Sequence, residues 1–247
     1  MQSWLGSRLS LAVGAVIVAI SMGATPASAM GPYAAGAEGA DISWPQCGRD
    51  VQITGDTFGL VGINGGTPYT MNPCFGGQYH WATSGGAAPG VYLNLQGGES
   101  PTGYQSCTDG DNLCKSYNYG YNAAEYAFSH AYIETGGASL AANSWWLDVE
   151  TGNDWSDQQD ANAAVVRGAV DYLRRNAGRN VGIYSTSGQY WAITGGLYAP
   201  AGVGNWVAGA DGLDSAYMCS SSFWPGAQVW FYQFENLDMN LDQDAAC

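Results

Sequence analysis

The chain alternates short apolar runs, rich in branched and aromatic residues, with longer segments whose apolar positions recur at helical spacing. This alternation is typical of a domain built from βα units around a parallel sheet. It predicts seven strands, at residues 41–44, 58–64, 90–95, 144–149, 181–185, 205–210 and 228–234. It predicts helices at residues 74–83, 121–135, 157–176 and 187–193.

One further strand is expected in the weakly patterned segment 216–221. Eight strands in a chain of this length favour an α/β fold with a single closed (β/α)8 TIM-like barrel, somewhat irregular, over an open sheet. The glycine-rich segment 97–118 shows no periodicity, so we expect a surface loop there.

The helix at 157–176 has the clearest boundaries. Ser156 and Gln159 form an S-x-x-Q pattern, which predicts a capping box at its start, and Gly178 follows its end. The strand at 144–149 therefore ends in a βα loop. In parallel α/β folds, ligands bind at this end of the strands.

The first 29 residues have the pattern of a secretory signal peptide. Arg8 precedes an apolar run at 9–20, and small residues at 27–29 form a cleavage site. The run is shorter than the roughly 20 residues that span a bilayer, which disfavours the alternative of a membrane anchor. We expect a secreted protein with a flexible lead-in at 30–39 and one domain at 40–247.

All six cysteines follow the predicted signal peptide, and an even number in an exported chain predicts disulfides. Fifteen connectivities are possible for six cysteines. Proximity favours Cys107 with Cys114. For the others we expect Cys47 with Cys74 and Cys219 with Cys247, the last tying the C-terminus to the body.

The formal net charge of the chain is −14, from 21 acidic and 7 basic residues. Clustered lysine and arginine are needed to bind nucleic acid, so we expect no such partner. The 10 tryptophans and 16 tyrosines suit a surface that contacts neutral sugar rings, although most aromatic residues are expected in the core. We expect a monomer.

Two carboxylates, Asp148 and Glu150, follow one apolar strand at a spacing of two residues. This spacing places them on the same face, roughly 7 Å apart. Mutual repulsion raises the pKa of at least one, which suits general acid catalysis. The alternative is that both are solvated loop acids. The chain has no nucleophile elbow, zinc motif or nucleotide-binding loop, so we expect no cofactor or metal.

Several segments, taken in order, resemble glycoside hydrolase family 25, the lysozyme-type muramidases, and especially a secreted glycoside-hydrolase-like branch of that superfamily. They are DISWPQ at 41–46, WWLDVE at 145–150, VGIYS at 181–185, WVA at 206–208, and WFYQ at 230–233 with the aspartates that follow. The resemblance covers residues 40–247. It implies a barrel that hydrolyses an N-acetylated glycan, with peptidoglycan the first candidate.

The resemblance also implies catalytic roles. Glu150 would donate a proton to the leaving oxygen, and Asp148 would orient the substrate's acetamido group or stabilise positive charge on the sugar. Asp41 would complete the acidic floor. Among the C-terminal aspartates, Asp242 fits the family's spacing better than Asp238 or Asp244.

Five residues near strand ends are expected to contact the substrate. They are Trp44, Asn64, Tyr92, Tyr184 and Trp206. The chain departs from the muramidases at two of the segments that border the site. It has INGG at 63–66 where they carry a charged Lys-Ala-Thr-Glu-Gly-like segment, and Tyr-Leu-Asn at 92–94 in place of Tyr-His-Phe. The alternative function is therefore a non-catalytic glycan-binding or cell-surface protein on the same barrel.

Overall fold

A computed structural model describes residues 31–49, 58–142, 144–178, 180–236 and 241–247. Eight strands form a closed barrel in which neighbours along the chain are neighbours in the sheet. The strands are β1 (Glu38–Ile42), β2 (Phe58–Gly62), β3 (Gly90–Asn94), β4 (Ser144–Asp148), β5 (Val181–Ser185), β6 (Gly204–Ala210), β7 (Gln228–Asn236) and β8 (Leu241–Ala246). The predicted closed barrel is confirmed.

Four α-helices lie against the barrel. They are α1 (Phe75–Thr83), α2 (Asn112–Glu134), α3 (Gln159–Asn176) and α4 (Ser187–Thr194). Short 3-10 helices occupy Trp44–Gln46, Ala138–Ala141 and Ala216–Ser220. Among the described residues, no helix is long and apolar enough to cross a membrane.

The last strand departs from the (β/α)8 pattern. Strands β1 to β7 pair in parallel, whereas β8 is antiparallel to both β1 and β7. The strand predicted at 216–221 is wrong, because Ala216–Ser220 is a 3-10 helix. The closing strand has the sequence LDQDAA, whose polar residues conceal the alternation of a buried strand.

Successive positions of each strand face the barrel interior or the helices. In β4, Trp145 and Leu147 join the cluster shared with the helices, whereas Trp146 packs inside the barrel against Phe231, with ring centroids 4.5 Å apart. Gly182 on β5 makes room for Trp146, because a Cβ there would lie 2.1 Å from its ring. Asp148 is the next inward-facing position of β4.

Helix α2 begins inside the segment predicted as a loop. Asp111 caps its first turn by accepting a hydrogen bond from the Cys114 backbone N–H at 3.0 Å. The helix packs closely on α3, where a Cβ at Gly120 would lie 1.9 Å from the Val165 carbonyl oxygen. The loop prediction is therefore wrong from Asn112 onward, because small and polar residues hide the helical period.

Helix α3 is confirmed, but its predicted capping box is wrong. Its N-cap is Gln158, which makes no side-chain capping bond. Ser156 lies two residues earlier, where its Oγ and N–H both donate to Asn162 Oδ1, at 3.0 and 3.3 Å. Gln159 donates instead to the Ala192 carbonyl at 2.9 Å, which ties α3 to the end of α4.

The segment predicted as a flexible lead-in is packed from Gly31 onward. Tyr33 is buried and stacks on Phe58 inside the barrel, with ring centroids 3.8 Å apart and planes within 9°. The Gly36 N–H donates to the Ala246 carbonyl at 2.9 Å. The barrel unit therefore extends before residue 40. The signal peptide predicted at residues 1–29 lies outside the described residues.

The structure contains the three expected disulfides, Cys47–Cys74, Cys107–Cys114 and Cys219–Cys247. The first joins the segment after β1 to the start of α1, and the second joins the loop before α2 to its first turn. The third ties the C-terminal residue to the 3-10 helix before β7. The Cys47–Cys74 disulfide therefore ties the segment that follows Asp41 to the start of α1.

Candidate active site

The two acids of the D-x-E segment lie at the C-terminal end of β4. Asp148 is the last residue of the strand and is 6% exposed, whereas Glu150 follows it and is partly exposed. Val149 between them is fully buried with the helix-side cluster. The strand therefore turns both carboxyl groups toward the barrel mouth, as the alternation predicts.

Amide side chains hold Asp148. Asn94, its neighbour in register on β3, donates from Nδ2 to Oδ2, and Asn153 donates from Nδ2 to Oδ1 at 3.5 Å. Asn94 is in turn fixed by Asn64, which exchanges two hydrogen bonds with its backbone, at 3.0 and 3.1 Å. These donors orient the carboxyl group and favour its charged form.

Glu150 is held by one residue of α4. Gln189 Nε2 donates to Glu150 Oε1 at 3.4 Å. Gln189 Oε1 accepts from the backbone N–H and the hydroxyl of Thr151, at 2.6 and 2.9 Å, which fixes the amide. The Trp155 indole donates to the Glu150 carbonyl at 2.8 Å. The loop that carries Glu150 is thus fixed on both sides, while its carboxyl group keeps access to solvent.

Asp41, on β1, joins this group through a relay of hydrogen bonds. Gln233 Nε2 on β7 donates to Asp41 Oδ2 at 2.7 Å, and the Tyr184 hydroxyl on β5 donates to Gln233 Oε1 at 2.6 Å. Tyr184 is the register partner of Asp148. The Tyr92 hydroxyl also lies beside Asp41. The mouth is therefore connected across the barrel from β4 to β1.

The antiparallel β8 contributes two more acids. Asp242 pairs in register with Asp41 and is partly exposed, and Asp244 pairs with Gly39 and is fully buried. The sequence analysis favoured Asp242 as the fourth acid of the site, and the pairing of β8 with β1 places it beside Asp41. Asp238 lies outside the described residues. Asp244 lies deeper, beside the Trp206 indole.

Burial raises the pKa of every acid in this group. The pKa of Asp41 rises from 3.8 to about 7, through burial and then through the charge of Asp242. The pKa of Asp148 is raised well above its usual range by burial and by Glu150. Burial also raises the pKa of Glu150, and the Gln189 hydrogen bond opposes it. Asp41 therefore retains its proton until near neutral pH, and the pKa of Glu150 is shifted in the direction that an acid catalyst requires.

Five residues were predicted to contact substrate. Trp44 is 49% exposed beside the mouth, and Tyr184 is partly exposed with its hydroxyl bonded to Gln233. The structure contradicts the other three predictions. Trp206 is 1% exposed and packs against Tyr184 in the barrel, Tyr92 is buried beneath Asp41, and Asn64 is buried behind Asn94. Their roles are to fill the barrel and support the acids.

Sequence reasoning missed three amide side chains that contact the acids, namely Asn153, Gln189 and Gln233. Gln233 lies inside one of the quoted family segments and Gln189 follows the segment 181–185, so their positions were available as a signal. Their contacts were not, because Gln233 and Asp41 are 192 residues apart. Over the described ranges, no group of three or more His, Cys, Asp and Glu side chains is arranged to hold a metal ion.

Comparisons with known proteins agree with this geometry. A family model described as "Lysozyme-like protein 1" matches residues 112–213, which include β4 and its two acids. A probable GH family 25 lysozyme of Dictyostelium discoideum is 36% identical over 70 residues. That match covers 28% of this chain and 32% of the relative, so the chain matches about a third of the length of this curated relative.

Solved structures match over most of the chain. A bacterial lysozyme from Streptomyces coelicolor has a TM-score of 0.58 at 17% identity, covering 86% of this chain and 92% of its own. A family GH25 lysozyme from Aspergillus fumigatus has a TM-score of 0.55 at 16% identity, covering 85% and 93%. At this identity the likeness establishes the fold. The resemblance inferred from the motifs is confirmed by similarity: the chain is similar to a GH family 25 lysozyme over 70 residues, matches the lysozyme-like family model over residues 112–213, and shares its fold with the solved lysozymes.

Proposed function

We propose that the protein is a secreted glycoside hydrolase that cleaves peptidoglycan, an N-acetylated glycan, by acid catalysis. One observation carries the proposal: Glu150 presents a partly exposed carboxyl group with a raised pKa at the mouth of a barrel lined by further acids. The disulfides support export, because such bonds persist in oxidising compartments.

Glu150 is the proton donor in this proposal. Its proton passes to the glycosidic oxygen as the bond from that oxygen to the anomeric carbon breaks, and the oxygen keeps the electron pair. Positive charge develops on the sugar ring. A water molecule then adds hydroxide to the anomeric carbon, and its remaining proton returns to a carboxylate of the site.

Asp148 and Asp41 assist this step. Asp148 is buried below Glu150 and held by amide donors. Burial and Glu150 raise the pKa of Asp148 well above its usual range, so its neutral carboxyl group is placed to orient the acetamido group, and its ionised form stabilises developing positive charge. Asp41 and Asp242 complete the acidic mouth. Trp44 and Tyr184 supply aromatic surface for sugar rings at its edge.

Product analysis tests the proposed reaction. Purified peptidoglycan is incubated with the protein lacking residues 1–29, reduced with borohydride and examined by mass spectrometry. The expected products are soluble fragments that end in reduced muramic acid. Fragments that end in reduced glucosamine would assign a different glycosidic bond.

A non-catalytic glycan-binding function is the second candidate. Neutral Asn64 and Asn94 stand where the muramidases carry charged or histidine-containing segments, and Asn94 contacts the Asp148 carboxyl group directly. Binding to the same peptidoglycan without release of reducing ends would support this function over hydrolysis.

A further inference from the structure

Three tyrosines form an exposed cluster that the proposed reaction does not use. Tyr69 follows β2, and Tyr119 and Tyr126 lie on α2. The Tyr69 ring contacts the other two, with centroids 5.4 Å from Tyr119 and 5.8 Å from Tyr126. Tyr69 is 40% exposed and Tyr126 is 37% exposed, and Tyr119 is partly exposed between them. We call these three residues the tyrosine shelf.

The chain holds Tyr69 in an unfavourable backbone conformation. Its φ is 61°, and among the described residues it is the only one other than glycine with a positive φ. Tyrosine adopts this region at an energetic cost, and such residues concentrate at functional sites. The Tyr69 hydroxyl donates to the Tyr119 carbonyl at 2.9 Å, which fixes the ring against α2.

The tyrosine shelf is continuous with the acids through β3. Asn94 ends this strand and donates to Asp148, and Gln96 follows two residues later. Gln96 Nε2 donates to the Tyr119 hydroxyl at 3.4 Å. A Cβ at Gly98 would lie 2.5 Å from the Tyr119 ring, so the ring rests directly on this backbone. One short segment therefore contacts the site at one end and the shelf at the other.

A cavity provides a second connection. It has a volume of about 290 Å³ and is lined by Gly97, Gly98, Asp154 and Trp155 among others. Trp155 donates to the Glu150 carbonyl, so the cavity adjoins the loop of the proton donor. Gly98 separates the cavity from the Tyr119 ring. The cavity thus lies between the loop that carries Glu150 and the backbone on which the Tyr119 ring rests.

We propose that the tyrosine shelf is a distal subsite that binds sugar rings of the same N-acetylated glycan strand whose bond is placed at Glu150. This inference rests on the proposed function, because it extends to the shelf the same glycan strand that is proposed to bind at Glu150. Exposed aromatic rings offer apolar faces to sugars and hydroxyl groups to their polar edges. A polymer bound at both places gains affinity that a short fragment cannot.

The charge around the shelf favours a neutral strand over an anionic polymer. Asp154 and exposed Glu99 line the adjacent cavity, and the Asp154 charge contributes to the raised pKa of Tyr119. Both carboxylates repel polyanions such as nucleic acids.

Binding of chitin oligomers to a non-cleaving protein tests the proposal. In a Glu150→Gln background, calorimetry compares the affinities of N-acetylglucosamine oligomers of two and six units. Tyr69→Ala and Tyr126→Ala are each expected to weaken hexamer binding about five- to tenfold and to leave dimer binding unchanged. Tyr69→Phe keeps the ring and is expected to retain most of the affinity. Tyr132→Ala is the matched control, since Tyr132 is 50% exposed on α2 outside the shelf.

Equal hexamer affinity in the Tyr69→Ala, Tyr126→Ala and Tyr132→Ala proteins would overturn the proposal, as would no hexamer binding at all. Circular dichroism confirms folding, and Tyr126→Ala keeps the test valid if the strained loop at Tyr69 rearranges. Failure of the two proposals is distinguishable. Shelf-dependent binding by a protein that cleaves nothing would sink hydrolysis alone, and cleavage with shelf-independent binding would sink the shelf alone.

Discussion

The barrel interior has a lower half, toward the start of the parallel strands, and an upper half, toward their C-terminal ends. The two halves are built on the same strands and differ in the side chains at their inward-facing positions. In the lower half, Trp146 and Phe231 pack ring against ring, and Tyr33 stacks on Phe58. Two residues further along β4, the inward position is Asp148. The lower half supplies apolar burial, and the upper half places acids above that apolar floor, where burial raises each pKa. The difference shows that the core aromatic residues and the acids of the candidate site occupy successive inward positions on one strand.

The largest expected effect is on activity, in the upper half. Glu150→Gln removes the donated proton and is expected to lower the rate of peptidoglycan cleavage about 10²- to 10⁴-fold without unfolding the protein. Glu134→Gln, at the exposed end of α2, is the matched control and is expected to keep full activity. Comparable rates for both variants would remove Glu150 from the mechanism.

The next effect is on stability, in the lower half. Trp146→Ala leaves a cavity among the barrel aromatics and is expected to reduce the free energy of unfolding by about 3–5 kcal/mol. Tyr217→Ala, at a side chain 62% exposed, is expected to change it by less than about 0.5 kcal/mol. Urea denaturation measures both. A small loss at Trp146 would mean that the aromatic floor is not the stabilising half.

The acids of the upper half are expected to lower the free energy of unfolding as pH rises. Because the pKa of Asp41 rises from 3.8 to about 7 on folding, its neutral form is favoured in the folded state. Stability linked to this group is present below pH 4 and is lost as pH rises through 7. Wild type is therefore expected to lose up to about 4 kcal/mol more than Asp41→Asn between pH 4 and 8.

Urea denaturation at pH 4, 6 and 8 checks this dependence. Asp157→Asn, at an exposed acid before α3, is the control and should follow the wild-type curve. Parallel curves for wild type and Asp41→Asn would contradict the assignment of a neutral buried Asp41.

The smallest expected effect concerns the support of Glu150. Gln189→Ala removes one hydrogen bond to its carboxyl group and two bonds to Thr151, and is expected to lower kcat about tenfold. The same bond opposes the rise in the Glu150 pKa, so the upper limb of the pH–rate profile should move to higher pH. An unchanged profile would show that Gln189 only supports the loop.

Much of the fold was predictable because the parallel strands carry clear apolar runs. The bounds of β5 agree with the prediction, and β4 differs by one residue. Strand β8 was missed for a physical reason. Its inward positions include Asp242 and Asp244, so acidic side chains replace the apolar alternation that marks a buried strand.

The site was predictable at its acids and less so at its aromatic residues. Asp148 and Glu150 were visible because charge at the end of an apolar strand is unusual. Trp206 was assigned to the substrate surface and lies in the core, because an aromatic residue carries no local mark of its depth in a barrel. Contacts such as Gln233 with Asp41 depend on barrel closure.

The leaving group offers the most direct test of Glu150 as proton donor. Rates are compared for wild type and Glu150→Gln on a natural N-acetylated glycan and on an aryl glycoside whose phenolate leaves without a proton. The account predicts a large loss on the glycan and a small loss on the aryl glycoside. Equal losses on both substrates would contradict a role for Glu150 in protonating the leaving oxygen.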